Sequence, residues 1–395
     1  MVTPKLVRDV LTHDELERFR AFAKGKETPL LILDLKKIAV KYDELALSMS
    51  RAKIYFAMKA CPNPEVLTLL YEKGSYFDVA SVYEIDQLLA LNIPAERMSY
   101  GNPIKKAKDI AYAHKVGIRL YTSDSLPDVE KLAEHAPGAM VNFRILLDGS
   151  GADWPLSRKF GAHPDMVYHL IKKAKELGLD PYGIAFHVGS QQRDIGQWDG
   201  AIAHVKYLFD ALKSDDIQLR CINLGGGFPA HYLKPTKEVP EYARNIIKYI
   251  EEDFPANHLD LIIEPGRSMT GDAGVIFTEV VLVSRKSEQD EVRWVFLDVG
   301  KFGGLIETMD EAIKYPILTE RYLDIENQEE EGSEVILAGP TCDSADILYE
   351  NFKYRLPDDL KEGDRLLILT TGAYTMSYSA VCFNGFPPLR VEVMK

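Results

Sequence analysis

The chain has 395 residues, more than one hydrophobic core usually supports, so we expect two domains or one barrel with an appendage. Sixty acidic residues against 47 basic ones give a formal net charge of -13, which argues against a nucleic-acid partner. No apolar run approaches a membrane span and the first residues lack an apolar signal core, so we expect a cytoplasmic protein with no membrane partner.

Eight segments in the first two thirds of the chain have the pattern of buried strands, and each is followed by a stretch of helical period. They are "IYFAMKA", "YFDVASV", "RMSYGN", "IRLYTS", "MVNFRIL", "GIAFHVGS", "QLRCINLGGG" and "LDLIIEPGR". This repetition predicts a (β/α)8 TIM-like barrel over residues 35–270, with an open doubly wound sheet as the competing fold.

The pattern changes after the eighth segment. The runs "VIFTEVVLVSRK", "RWVFLDVG", "SEVILAGPTC" and "DRLLILTTGAY" are rich in β-branched residues and have little helix between them. They predict a second, mainly antiparallel β domain over residues 271–395. The early run "PLLILDL" could join its sheet, which would make this domain discontinuous, with residues 1–34 as its other part.

Polar residues and one run of glycines lie at the ends of most of the barrel strands, and in such barrels this face carries the chemistry. They are Lys59, Asp78, Glu84, Arg144, His187, Ser190, Gly225, Gly226, Gly227, Glu264 and Arg267. Each also has an ordinary structural interpretation: a lone lysine after a strand often snorkels at the surface, and "GGGF" is also typical of a tight turn. So many such groups at one rim are hard to explain by packing alone.

Together these residues match the groups of pyridoxal 5'-phosphate (PLP). A glycine loop with Arg267 can hold a phosphate ester, and Lys59, if desolvated by apolar neighbours, can form an imine with an aldehyde. Glu264 can pair with a pyridine nitrogen and keep it protonated. The four cysteines show no paired metal spacing, so we expect reduced thiols and no metal site.

Seven motifs carry a family resemblance that extends over essentially the whole chain. In order they are "YFAMKA", "FDVAS", "FHVGSQ", "GGGFP", "EPGR", "GPTCDSAD" and "TGAYT". The chain resembles the alanine-racemase-like (fold type III) PLP-dependent decarboxylases of basic amino acids. The stretches "ADWPLSRKFG" and "KFGGLIETMDEAIKYPI" are similar to the bacterial ornithine/lysine branch.

The resemblance implies a role for each matching residue. Lys59 would hold the cofactor aldehyde, His187 would stack on its ring, and Glu264 would pair with the ring nitrogen. Four groups would contact the phosphate: Ser190, the loop Gly225 to Gly227, Arg267 and Tyr374. Three further residues would orient the cofactor and Lys59: Asp78, Glu84 and Arg144. An acidic partner at the ring nitrogen favours decarboxylation, whereas related racemases have an arginine there.

The resemblance also implies a homodimer with shared active sites. Cys342 of one subunit would reprotonate the substrate Cα in the other, and Asp343 would bind the distal ammonium. Lys159 and Asp346 would form an ion pair across the same interface. The ordinary alternative for Cys342 is a small buried hydrophobic residue.

The substrate's chain length is less well defined. Glu307 and Asp310 lie one helical turn apart in "LIETMDEAI", so both could face the tail of a diamino acid, or they could form a solvated helix face. The expected reaction is L-ornithine to putrescine and CO2, with some L-lysine to cadaverine, because one methylene is worth only about 1–3 kcal/mol. A diaminopimelate or arginine decarboxylase is the alternative enzyme. A catalytically silent regulatory homologue is disfavoured because the catalytic set is present.

Overall fold

The computed structural model describes residues 10–154, 158–255, 258–322 and 332–395. The helices are α1 (His13–Ala23), α2 (Leu35–Ser48), α3 (Pro64–Glu72), α4 (Val82–Ala90), α5 (Ala107–Val116), α6 (Leu126–His135), α7 (Pro164–Glu176), α8 (Gly196–Lys213), α9 (Val239–Asp253) and α10 (Arg267–Thr270). The strands are β1 (Leu30–Asp34), β2 (Ala52–Ala57), β3 (Tyr76–Val79), β4 (Met98–Tyr100), β5 (Leu120–Ser123), β6 (Met140–Arg144), β7 (Ala152–Trp154), β8 (Asp180–Ala185), β9 (Ser190–Gln192), β10 (Cys221–Asn223), β11 (Asp260–Ile263), β12 (Gly274–Ser284), β13 (Arg293–Leu297), β14 (Ile317–Thr319), β15 (Ser333–Ala338), β16 (Ile347–Leu356), β17 (Arg365–Leu369) and β18 (Arg390–Met394).

The predicted barrel is confirmed. Eight strands close into a barrel, and each pair of neighbouring strands is parallel. Their order around the barrel is β10, β11, β2, β3, β4, β5, β6 and β8. Closure excludes the open doubly wound sheet, and it brings the carboxyl ends of all eight strands to one rim. At that rim the N–H of Ala57 donates to the Pro265 carbonyl at 2.9 Å, which joins the ends of β2 and β11.

The sequence after β2 explains why Lys59 lies between a strand and a helix. The strand ends at Ala57, and a 3-10 turn follows over Met58–Ala60. Asn63 then caps α3, because its side-chain oxygen accepts from the backbone N–H groups of Glu65 and Val66 at 3.0 and 3.3 Å. Pro64 occupies the first helical turn, where no N–H is required. This turn leaves Lys59 at the carboxyl-terminal rim.

The second sheet has eight strands and mixed pairing that is mostly antiparallel. Its main path runs β14, β17, β12, β13, β15 and β16, and the β13–β15 pair is parallel. The predicted participation of "PLLILDL" is confirmed, because β1 pairs antiparallel with β12 and parallel with β18. One face of this sheet packs against the apolar side of α1, including Leu16 and Phe19.

The chain forms two compact units. The sheet unit comprises the described parts of residues 1–38, 230–236 and 267–395, and the barrel unit those of 39–229 and 237–266. The short segment 230–236 therefore belongs with the sheet, although barrel residues flank it. In the described ranges, no helix is both long enough and apolar enough to span a membrane.

Candidate active site

Lys59 projects from the rim beside an acidic residue. Its Nζ lies 3.8 Å from Oδ2 of Asp78, and 51% of its side chain is exposed. The expectation that apolar neighbours desolvate this amine is therefore wrong for the isolated chain. The charged groups that interact with this amine include the carboxyl groups of Asp78 and Glu84.

Asp78, at the end of β3, is a buried carboxyl at the centre of this charge cluster. Burial raises its pKa well above the ordinary value, the nearby Glu264 raises it further, and Lys59 and Arg144 oppose this rise. No hydrogen-bond partner among the described residues reaches its Oδ1. Gly101 packs directly on it, since a Cβ at that position would lie 1.9 Å from Oδ1.

Glu264 follows β11 and is held by a residue that the sequence analysis missed. The Nδ2 of Asn223 donates to Oε1 of Glu264 at 2.6 Å, and the Oδ1 of Asn223 accepts from the Gly225 N–H at 3.0 Å. Asn223 thereby connects the carboxylate to the glycine loop. Its signal in the sequence was an amide residue at the end of the otherwise apolar run "CIN", and the structure buries this side chain.

His187 follows β8 and carries a neutral imidazole at neutral pH. Burial lowers its pKa well below the ordinary value, and the charges of Arg144 and Lys59 lower it further. Its Nδ1 accepts from the Gly189 N–H at 3.0 Å, so the ring proton resides on Nε2. A neutral ring can pack against a protonated pyridine without repelling it.

Glu84 and Arg144 complete the charge cluster. Glu84 also has a structural function at the start of α4: its Oε2 accepts from the Ala80 N–H at 2.6 Å, and its own N–H donates to the Ser81 hydroxyl at 3.4 Å. Burial raises the pKa of Glu84. Burial lowers the pKa of Arg144, while Glu264, Asp124 and Asp78 act in the opposite direction.

The glycine loop is a backbone cradle with no room for side chains. A Cβ would lie 2.1 Å from the Phe186 carbonyl at Gly225, 2.6 Å from the Glu264 carbonyl at Gly226, and 2.7 Å from the Gly189 carbonyl at Gly227. Gly225 and Gly227 have φ of 64° and 103°, which favour glycine. Among the described residues no acceptor is found for the N–H groups of Gly226 and Gly227, so both can donate to an anion.

Ser190 is buried at the start of β9, in the loop region that follows His187. Six ionisable side chains thus form one electrostatic cluster in the barrel unit: Lys59, Asp78, Glu84, Arg144, His187 and Glu264. The amine, the carboxylate Glu264 and the N–H donors of the glycine loop match the aldehyde, ring nitrogen and phosphate of PLP. In the described ranges no group of His, Cys, Asp or Glu side chains could hold a metal ion.

Arg267 and Tyr374 belong to the sheet unit, where Arg267 has an unexpected partner. Its Nη1 and Nη2 donate to the two carboxylate oxygens of Glu307 at 2.7 and 2.6 Å, and both side chains are 2% exposed. The guanidinium also donates to the Tyr232 hydroxyl at 2.8 Å and lies 4.7 Å from the centre of the Tyr374 ring. Burial acts to lower the pKa of Arg267, but the charge of Glu307 outweighs it and raises this pKa.

The expectation that Glu307 and Asp310 lie on one helix face is wrong. Residues Ile306–Glu311 form a 3-10 turn with a kink, in which Met309 has ψ of 131° and Asp310 has φ of 51°. The kink turns the two carboxylates to different environments: Glu307 is buried on Arg267, whereas Asp310 is exposed.

Cys342 and Asp343 are exposed on a loop of the sheet unit. The Cys342 N–H donates to Oδ1 of Asn384 at 3.0 Å. The buried Asp346 fastens this loop, because its carboxylate accepts from the Lys301 N–H at 2.7 Å and from the Thr341 hydroxyl at 2.8 Å. The ion pair of Asp346 with Lys159 across a dimer interface stays a prediction; within its own chain both carboxylate oxygens already have donors.

The barrel fold and its rim chemistry define a PLP-dependent enzyme of the barrel type. Residues 35–271 match the family described as "Pyridoxal-dependent decarboxylase, pyridoxal binding domain". The lysine/ornithine decarboxylase of Selenomonas ruminantium is 34% identical over 368 residues, which cover 93% of this chain and 90% of that protein.

Two crystal structures are similar over nearly the whole chain. SrLDC in complex with PLP and cadaverine has a TM-score of 0.85 and 33% identity, and the match covers 97% of this chain and 94% of that one. The Paramecium bursaria Chlorella virus arginine decarboxylase has a TM-score of 0.86 and 25% identity, covering 97% and 100%. The chain belongs to the fold type III ornithine/lysine decarboxylase family; it is a PLP-dependent carboxy-lyase acting on substrates of the ornithine/lysine type.

Proposed function

We propose that this enzyme converts L-ornithine to putrescine and CO2, and L-lysine to cadaverine with lower efficiency. The observation that carries this proposal is the rim cluster of Lys59, Asp78, His187 and Glu264 on a barrel of this family. Two similarities support this substrate class: the Selenomonas relative is a lysine/ornithine decarboxylase, and SrLDC binds cadaverine together with PLP.

When bound, PLP supplies an electron sink for the pair released as the bond between Cα and the carboxylate breaks. Lys59 would hold the cofactor and yield its place to the substrate amine. Glu264, fixed by Asn223, would keep a negative charge at the ring nitrogen and thereby maintain its proton. His187 would cover one ring face as a neutral group, and the N–H groups of Gly226 and Gly227 would bind the phosphate.

Cys342 is the proposed proton donor to Cα, and it would act in a second copy of the chain. Its exposure on a fastened loop supports this role. Four apolar side chains of the segment 378–386 are also exposed: Tyr378, Val381, Phe383 and Phe386. Exposed apolar clusters of this kind are typical of protein interfaces, which supports a two-fold homodimer.

Two acidic side chains are proposed to bind the distal ammonium of the substrate: Asp310 from its own chain and Asp343 from the partner. Both are exposed and separate from the Arg267 pair. Glu307 does not take part in this proposal, because its carboxylate is occupied by Arg267.

The test is CO2 release from ornithine, lysine, arginine and diaminopimelate with PLP supplied. Ornithine should give the highest kcat/KM, and lysine should follow. The similarity to the viral arginine decarboxylase favours arginine as the second candidate, so activity on arginine alone would replace the ornithine assignment.

Lys59→Ala should abolish both turnover and the borohydride-stable attachment of the cofactor to the chain. Lys53→Ala is the matched control, since Lys53 lies at the opposite end of β2 and pairs with Asp260. Near-normal activity of the Lys59 variant would show that another amine holds the cofactor. Wild-type protein that neither binds PLP nor releases CO2 would indicate a silent homologue.

A further inference from the structure

The turn Ile306–Glu311 is held in a conformation that its sequence does not favour. Asp310 and Glu311 both have positive φ, 51° and 52°, in consecutive residues that carry side chains. Such a backbone costs about 1–3 kcal/mol per residue and persists only where surrounding contacts enforce it. The contacts that enforce it are therefore informative about the turn's role.

Glu311 supplies one of these contacts. Its Oε1 accepts from the N–H groups of Glu350 and Asn351 at 2.8 and 2.6 Å, and its Oε2 accepts from the Phe352 N–H at 2.8 Å. These hydrogen bonds outweigh the effect of burial and lower the pKa of Glu311. The carboxylate is therefore ionised at neutral pH and binds three successive donors.

The strand that donates these bonds is irregular at this point. In β16, Tyr349 pairs with Leu337 of β15 and Tyr354 pairs with Val335, so residues 350–353 form a bulge opposite a single residue. The bulge frees three N–H groups from the ladder and aims them at one side chain. Glu311 thus connects the turn to the sheet at a feature built into the strand.

The other end of the turn is fixed by the buried Arg267–Glu307 pair. Between the two anchored carboxylates, Asp310 is an exposed acidic side chain with no anchor of this kind. A side chain held out by a strained turn with both ends anchored is preorganised for a ligand.

We propose that Glu311 is a positioning residue for substrate recognition: by binding the bulge of β16, it holds Asp310 in place for the distal ammonium of a diamino acid. This inference rests on the proposed function and adds to it the residue that sets the geometry of tail recognition.

The test is steady-state CO2 release by Glu311→Gln. The amide keeps the size of the side chain but loses the charge and one acceptor. We expect KM for ornithine to rise about tenfold, while kcat changes less than about threefold, because the interaction made with the tail is lost in ground and transition states alike. Glu350→Gln is the matched control: its side chain is exposed, only its backbone contacts Glu311, and its KM should equal the wild-type value.

A double-mutant cycle separates positioning from general support of the fold. Asp310→Asn alone should raise KM, and Glu311→Gln in that background should raise it no further. If Glu311→Gln does not yield folded protein, Glu311→Asp, which keeps the charge on a shorter arm, should give an intermediate KM and the same non-additivity.

Three results would each overturn the inference while leaving the decarboxylase function intact. They are additive effects of the two substitutions, a KM within about twofold of wild type for Glu311→Gln, and an unchanged KM for Asp310→Asn. A wild-type enzyme without turnover on any of the amino acids would remove the proposed function and this inference with it.

Discussion

Replacing Glu307 by Gln leaves a buried guanidinium without its counter-charge. The pair is bidentate at 2.6 and 2.7 Å, and each side chain is 2% exposed, so water cannot take over the role of the carboxylate. Arg267 cannot avoid the cost of an unpaired buried charge by losing its proton, because arginine stays charged in proteins. Two of its other neighbours, the Tyr232 hydroxyl and the Tyr374 ring, carry no formal charge at neutral pH.

Removing one partner of a buried pair costs about 3–5 kcal/mol. Because the amide oxygen of Gln can still accept a hydrogen bond from the guanidinium, we place this variant at about 3 kcal/mol. For a unit of this size each kcal/mol shifts Tm by about 2–4 °C, so we expect a decrease of roughly 6–12 °C. Scanning calorimetry of cofactor-free protein measures this shift.

Glu252→Gln is the control, because its pair with Lys248 is 59% and 69% exposed and spans 3.6 Å. Exposed pairs of this kind contribute about 0.3–0.5 kcal/mol, and this variant should melt within about 2 °C of wild type. A Glu307→Gln protein that melts as late as the control would refute the argument that the buried charge needs its partner.

Three further predictions concern the rim and the reaction. Gly101→Ala should displace Asp78, destabilise the fold by about 1–3 kcal/mol and abolish activity. The control is Gly200→Ala, whose Cβ meets no atom within 4 Å and should stabilise α8 by about 0.5–1 kcal/mol. Equal urea midpoints for the two variants would contradict the steric account. Because the pKa of His187 is lowered in the folded state, the unfolded state binds the proton first as the pH falls below about 6.5, and the free energy of unfolding should decrease there. His187→Gln should lose less stability than wild type between about pH 7 and 5. Parallel curves of stability against pH for the two proteins would reject this prediction. Cys342→Ala should retain PLP but slow or misdirect protonation of Cα, seen as altered product or deuterium incorporation, and an unchanged rate and product would exclude the thiol.

The barrel could be predicted from the sequence because its strands are buried on both faces and appear as separate apolar runs. The same pattern located Lys59, His187 and Glu264 at strand ends, where the structure has them. The exposure of Lys59 could not be predicted, since it depends on the direction in which a three-residue turn sends a side chain.

Contacts between distant residues left no trace in the sequence. Arg267 and Glu307 are 40 positions apart, and no sequence pattern links the end of the run that contains Arg267 to the segment that contains Glu307. The kink at Asp310 could not be predicted for a related reason. The segment "LIETMDEAI" has helical composition, and the bulge in β16 that overrides this local preference lies much later in the chain.

The carboxylate of Asp346 has a consequence for how the Cys342 loop meets other molecules. A Cβ at Gly300 or Gly339 would lie 2.3 Å from one of its oxygens, so two separate loops close around a single anion without intervening space. Loops fastened in this way lose little conformational freedom when they dock. In the proposed dimer, the thiol would therefore reach the partner subunit by rigid-body association, at a rate governed by diffusion and orientation rather than by a slow search for the correct loop shape.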